Sequence, residues 1–132
     1  MMSVKAVFVL TSVLAVVWAQ ELTTTQMQAI MNHHKECKAE TNIDDGLASG
    51  VLAGNFPDDP VLKQHLFCMS KRLGIQNDSG EIQKDAVKEK IGKFITDEAK
   101  IEELTNSCSV EKSSPEDTAL ELTKCIYQGT HP

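Results

Sequence analysis

The sequence predicts an all-α fold, an array of six short helices clamped by disulfides. Three observations carry this. Apolar residues recur at i, i+3, i+4 and i+7 nearly throughout, the period of a helix with one buried face. The periodic segments are separated by clusters of Pro, Gly, Asn and Asp, and no alternating run reads as a strand. Four widely spaced cysteines follow a secretory leader, and an even count in an oxidising compartment reads first as two bridges.

The leader is "MMSVKAVFVLTSVLAVVWAQ". One basic residue, Lys5, precedes an apolar run from Ala6 to Val17, and the small residues Val17 and Ala19 suit a peptidase, so cleavage is expected after Ala19. The run is too short for a transmembrane anchor, which needs about 20 apolar residues. Residues 1–19 are thus a signal peptide and 20–132 the mature helical domain, without membrane insertion. The mature chain sets 19 acidic residues against 12 basic ones, since Lys5 leaves with the leader. A nucleic-acid partner, which needs clustered cations, is not expected.

The first helix is expected over about Thr24 to Glu40, with Met27, Ile30, Met31, His34 and Cys37 along one face. The second runs from about Asp44 to Ala53, opening on an acidic pair that suits a helix N-terminus and ending at Gly54. In "NFPDDP", Asp59 caps the third helix and Pro60 takes its first position; Leu62, Leu66, Met69 and Leu73 form its stripe. The fourth is expected over about Glu81 to Phe94 with Ile82, Ala86, Val87, Ile91 and Phe94 on its apolar side, and the fifth from Asp97 to about Cys108. "SSPED" gives the sixth its start, with Ser114 as cap, Pro115 at the first position and Asp117 in a capping-box arrangement.

Cys37, Cys68, Cys108 and Cys125 lack the close pairs of a zinc site, so they are expected to tie elements together. Closing loops of this size is worth roughly 3 to 4 kcal/mol each. Spacing alone leaves three pairings open.

These cysteines, placed on the first, third, fifth and sixth helices, resemble the insect odorant-binding protein family, pheromone and general odorant-binding type, over the whole mature chain. Most of that family has six. Here Gln64 and Glu116 stand where the second and fifth would be, a pattern similar to the four-cysteine minus-C subclass. The resemblance implies that Cys37 pairs with Cys68 and Cys108 with Cys125. It also implies helices enclosing an apolar cavity that carries odorants, pheromones or similar small hydrophobic molecules through aqueous lymph. A membrane receptor downstream and a monomer or weak dimer belong to the same picture. Burying roughly 300 Å² of ligand at about 25 cal/mol per Å² gives about 7 kcal/mol before ordering costs, near micromolar affinity.

The apolar positions offered to such a ligand are Leu47, Val51, Phe56, Leu62, Leu66, Met69, Leu73, Ile91, Leu104, Leu122, Ile126 and Tyr127, each equally at home in plain core packing. Tyr127, the sole phenol, is the polar anchor among them. In "HHKEC", His33 and His34 point about 100° apart on a helix and suit a metal poorly, so no metal or other cofactor is expected. With His65 and His131 they could instead make release pH-dependent. "NDS" matches a glycosylation acceptor at Asn77, or Asp78 or Ser79 caps the fourth helix. No triad, HExxH or phosphate-loop signature supports an enzyme. The rival is a secreted non-olfactory protein, either a lipophile scavenger or a toxin or signalling factor that acts through its surface.

Overall fold

The computed structural model describes residues 25–131, and the leader with its cleavage point lies outside them. The chain divides into two compact units, Met1–Lys35 and Glu36–Pro132. Helix α1 occupies residues 25–41. It is followed by α2 (Asp45–Gly50), a 3-10 turn (Val51–Ala53), α3 (Pro60–Arg72), α4 (Lys84–Ile91), α5 (Glu98–Cys108) and α6 (Pro115–Thr130). Of the stripe expected on α1, Cys37 is fully buried, whereas Met27, Ile30 and Met31 are exposed.

The starts of the helices are set by side chains that take up otherwise unpaired N–H groups. Asp44 accepts from the amides of Gly46 and Leu47, Asp59 from Val61 and Leu62, and Asp97 from Ala99 and Lys100. At α6, Ser114 Oγ accepts from the amide of Asp117 at 3.0 Å, but the box is not closed by Asp117. That carboxylate accepts instead from Ser113 Oγ and pairs with Lys63, so a tertiary contact has taken it from the local one.

Two helices are shorter than their periodicity. The second gives way to a 3-10 turn at Val51, and Gly54 ends it with φ +86°, a left-handed position open to glycine. The fourth begins three residues late because residues 81–83 are drawn into a tight turn. The Gln83 amide donates to Ile75 O, the Asn77 amide to Glu81 O, and Gln76 and Ile82 form an isolated antiparallel bridge. Asp78 and Ser79 therefore do not cap α4, whose cap residue Gln83 makes no side-chain capping bond and instead donates from Nε2 to Glu81 O. At its other end α4 stops at Ile91, and Phe94 is exposed.

Within Glu36–Pro132 the apolar side chains form two clusters. One gathers Ile75, Val87, Ile91, Leu104, Cys108 and Leu122, between α4, α5 and α6. The other gathers Ile43, Leu62, Leu66, Ala119 and Leu120, where α3 meets α6 beneath α2. Helix α6 serves both, with Ala119 and Leu120 turned to one and Leu122 and Ile126 to the other. The bridge Cys37–Cys68 ties the last turns of α1 to α3, and Cys108–Cys125 ties α5 to α6 beside the first cluster. Closing segments of 31 and 17 residues stabilises the fold by roughly 3 to 4 kcal/mol each.

Candidate ligand site

The candidate site lies around the second cluster, where apolar packing reaches solvent. Leu62 and Leu66 are buried in it, and Leu47, Val51 and Phe56 pack against it from α2 and the segment that follows. Ile43 contributes a contact that periodicity missed. It precedes the cap residue Asp44 and packs in the same cluster as Ala48, the arrangement of a hydrophobic staple.

Tyr127 joins this region from the end of α6. Its ring meets Phe56 edge to face at 5.6 Å and stacks on His131 at 4.2 Å, nearly parallel. Gly54 makes the approach possible, since a Cβ there would lie 2.9 Å from Tyr127 Cε1. Five of the apolar positions offered to a ligand, Leu47, Val51, Phe56, Leu62 and Leu66, are therefore brought together, with Tyr127 at their margin. Ile91, Leu104, Leu122 and Ile126 pack in the other cluster, on the far side of α6. Met69 on α3 and Leu73 at its C-terminal cap are half-buried.

An open groove of about 550 Å³ runs along the surface of this region. Phe56 and Leu120 supply its apolar surface, both members of the second cluster or packed on it. Asp58 and Lys63 line one side, Lys112 and Ser113 another, and Asp117, Glu121 and Lys124 the face of α6. Sequence reasoning missed all of these but Phe56. The signal for Leu120 was present: α6 carries apolar residues on two faces, as a helix buried on both sides must.

Lys63 organises the groove's charge. Its ammonium pairs with Asp117 Oδ1 at 2.7 Å and with Asp58 Oδ1. The hydrogen bonds it donates to Asp117 and then to Asp58 hold its pKa well above the ordinary lysine value. Reciprocally, Lys63 first and the Ser113 and Ser114 hydroxyls after it hold Asp117 below the usual carboxylate range.

The histidines fall in different settings. His65 is buried, with Nδ1 3.3 Å from Thr41 Oγ1; that hydroxyl donates to Cys37 O, so its oxygen is left to accept from the imidazole. His131 is exposed on the Tyr127 ring, and His33 and His34 are half-buried on α1. Asn77 uses its amide in the turn before α4: Oδ1 accepts from the amides of Ser79 and Glu81, and Nδ2 donates to Glu81 Oε1 at 3.1 Å. One amide hydrogen remains for a glycan bond.

Residues 19–129 match the PBP/GOBP family. The chain belongs to that family. Its four cysteines, joined in two bridges, make it a minus-C member of the insect odorant-binding proteins. It is 36% identical over 119 residues to the B1 protein of Tenebrio molitor, an alignment that covers 90% of this chain and 92% of that protein. Among solved structures, odorant-binding protein dmelOBP28a from Drosophila melanogaster shares the fold with a TM-score of 0.68 at 18% identity, over 80% of this chain and 93% of that one. THP12 carrier protein from the yellow meal worm is 34% identical with a TM-score of 0.56, over 69% and 84% of the two chains. The family is one of secreted binding and carrier proteins rather than enzymes. No helix among the described residues is long and apolar enough to cross a membrane.

Proposed function

We propose that the mature chain, residues 20–132 after cleavage behind Ala19, is an extracellular carrier. It takes up small hydrophobic molecules such as odorants or pheromones and moves them through aqueous lymph. Family membership over residues 19–129 is the observation that carries this reading. The meal-worm relative named a carrier protein supports it. The match also begins beside the expected cleavage point.

The mechanism is burial without chemistry. A small apolar molecule exchanges water for the side chains around Phe56, Leu62, Leu66 and Leu120, and roughly 300 Å² of removed surface is worth about 7 kcal/mol before ordering costs, which sets near-micromolar affinity as the upper range. Met69, Leu73 and Tyr127 adjoin that region, while Ile91, Leu104, Leu122 and Ile126 hold the neighbouring cluster through which α6 is anchored. The working species is a monomer or weak dimer, and a membrane receptor stands downstream. Asn77 is the proposed glycan acceptor, to be checked by a mass shift on treatment with an amidase.

Displacement tests the function. A fluorescent apolar probe bound to the delipidated protein is expected to be released by small volatile molecules at micromolar concentration. Probe uptake that no such molecule displaces would contradict a carrier role.

A further inference from the structure

We infer that α1 carries a self-association surface: the exposed face of Met27, Ile30 and Met31 meets the same face of a second copy of this chain in a weak antiparallel pair about a twofold axis. This surface is separate from the carrier site, since none of the side chains that line the groove belongs to α1.

Met27, Ile30 and Met31 are 55%, 39% and 57% exposed, and at i, i+3 and i+4 they lie on one side of α1. The other large apolar side chains exposed to this degree among the described residues, Leu52, Phe94 and Val110, stand singly along the chain, and scattered exposure of that kind needs no partner. A contiguous stripe on a helix does. All three of its residues fall within one compact unit, Met1–Lys35.

Charge and shape favour a second copy as the occupant. The chain has an overall charge of −6, so two copies repel over most of their surfaces. Residues 25–32 contain no Asp, Glu, Lys or Arg. Along this stretch two copies approach without setting like charges against each other, while a partner that recognises charge finds nothing to pair with. The spacing is also self-complementary. Turning one helix antiparallel to its copy sets Met27 beside Met31 in both directions, with the two Ile30 side chains near the axis. The flexible methionines adapt to that contact. Roughly 300 Å² is covered on each copy, well under the 800 Å² or so per partner of a stable complex, so the pair is weak and forms only at high concentration.

Sedimentation equilibrium of the oxidised chain at pH 7 tests it. The native protein is expected to move from monomer toward dimer between about 10 μM and about 1 mM, and to associate more strongly as salt screens the repulsion between acidic copies. In Met27→Glu/Met31→Glu, which sets four carboxylates into the contact, the dissociation constant is expected to rise by at least about tenfold. Both positions are exposed, so the helix content by circular dichroism should match the native chain; should it fall, the uncharged Met27→Gln/Met31→Gln decides, with an expected rise of about threefold. A native chain that stays monomeric at the highest concentration, a folded variant that associates as the native chain does, or association that weakens with salt would overturn the inference. So would partition of the native chain onto phosphatidylcholine vesicles without self-association, which would assign the stripe to lipid.

Discussion

Lys63 Nζ of α3 lies 2.7 Å from Asp117 Oδ1 of α6, one residue along each helix from Gln64 and Glu116. We place Gln64 and Glu116, from the cysteine spacing, where the family resemblance implies a covalent link between α3 and α6 in six-cysteine relatives. In this chain a partly exposed ion pair occupies that place, so helices that share the second cluster are held there by burial and charge alone.

The ion pair makes this junction sensitive to acid. The Asp117 pKa is lowered by folding, so its stabilisation is complete above the unfolded carboxylate pKa and disappears as pH falls through the folded value. The window therefore lies below about pH 4, with the ordinary value at 3.8. Urea midpoints measured between pH 5 and pH 2.5 are expected to fall less steeply for Asp117→Asn than for the native chain. Parallel curves would contradict the assignment. Lys63, whose pKa is raised, loses its contribution only at the alkaline end and keeps its charge throughout this range.

Restoring the covalent link is the second expectation. The double variant Gln64→Cys/Glu116→Cys should form a bridge if the missing cysteines of the family stand at these two positions. Closing that loop is worth at most about 4 kcal/mol on the chain-entropy model, enough to raise the melting temperature by roughly 10 °C. Thiol titration and thermal unfolding check it. Two thiols left free under oxidising conditions would count against the placement of the missing cysteines at these positions.

Two close approaches should be intolerant of a methyl group. At Gly80, with φ +89°, an added Cβ would lie 2.5 Å from Pro115 Cβ and 3.0 Å from its Cα, so both backbone and ring obstruct it. Gly80→Ala is expected to destabilise by roughly 2 to 4 kcal/mol. At Gly129 the obstacle is Leu104 Cδ2 at 2.2 Å, a side-chain end that can shift within the first cluster. Gly129→Ala should cost about 1 to 3 kcal/mol. Denaturant midpoints unchanged within about 0.5 kcal/mol would refute the packing described for either site.

Asn77 offers a milder test. Its carbonyl oxygen accepts two backbone amides that shape the turn before α4. Asn77→Ala is expected to lower stability by about 1 kcal/mol, measured by the same midpoints.

Helix existence was legible in the sequence because caps and apolar spacing are local: Asp59 with Pro60, and Ser114 with Pro115, start α3 and α6 where the sequence places them. Boundaries moved where tertiary contacts prevailed, as when residues 81–83 paired with 75–77 and shortened α4. The candidate site was only half legible. Periodicity identifies apolar residues such as Leu62 and Leu122 but not which side of α6 each one serves, so it merged two clusters into one list. The charged lining was not visible at all, because Lys63, Lys112 and Lys124 meet only through the packing of α6 against α3 and the Lys112 loop.

Saturable uptake of a fluorescent apolar probe by the delipidated, oxidised protein tests the carrier role most directly. Binding that saturates near one probe per chain, with a dissociation constant near micromolar, is the result expected from burying roughly 300 Å² of ligand. A signal that rises linearly with probe and never saturates would contradict it.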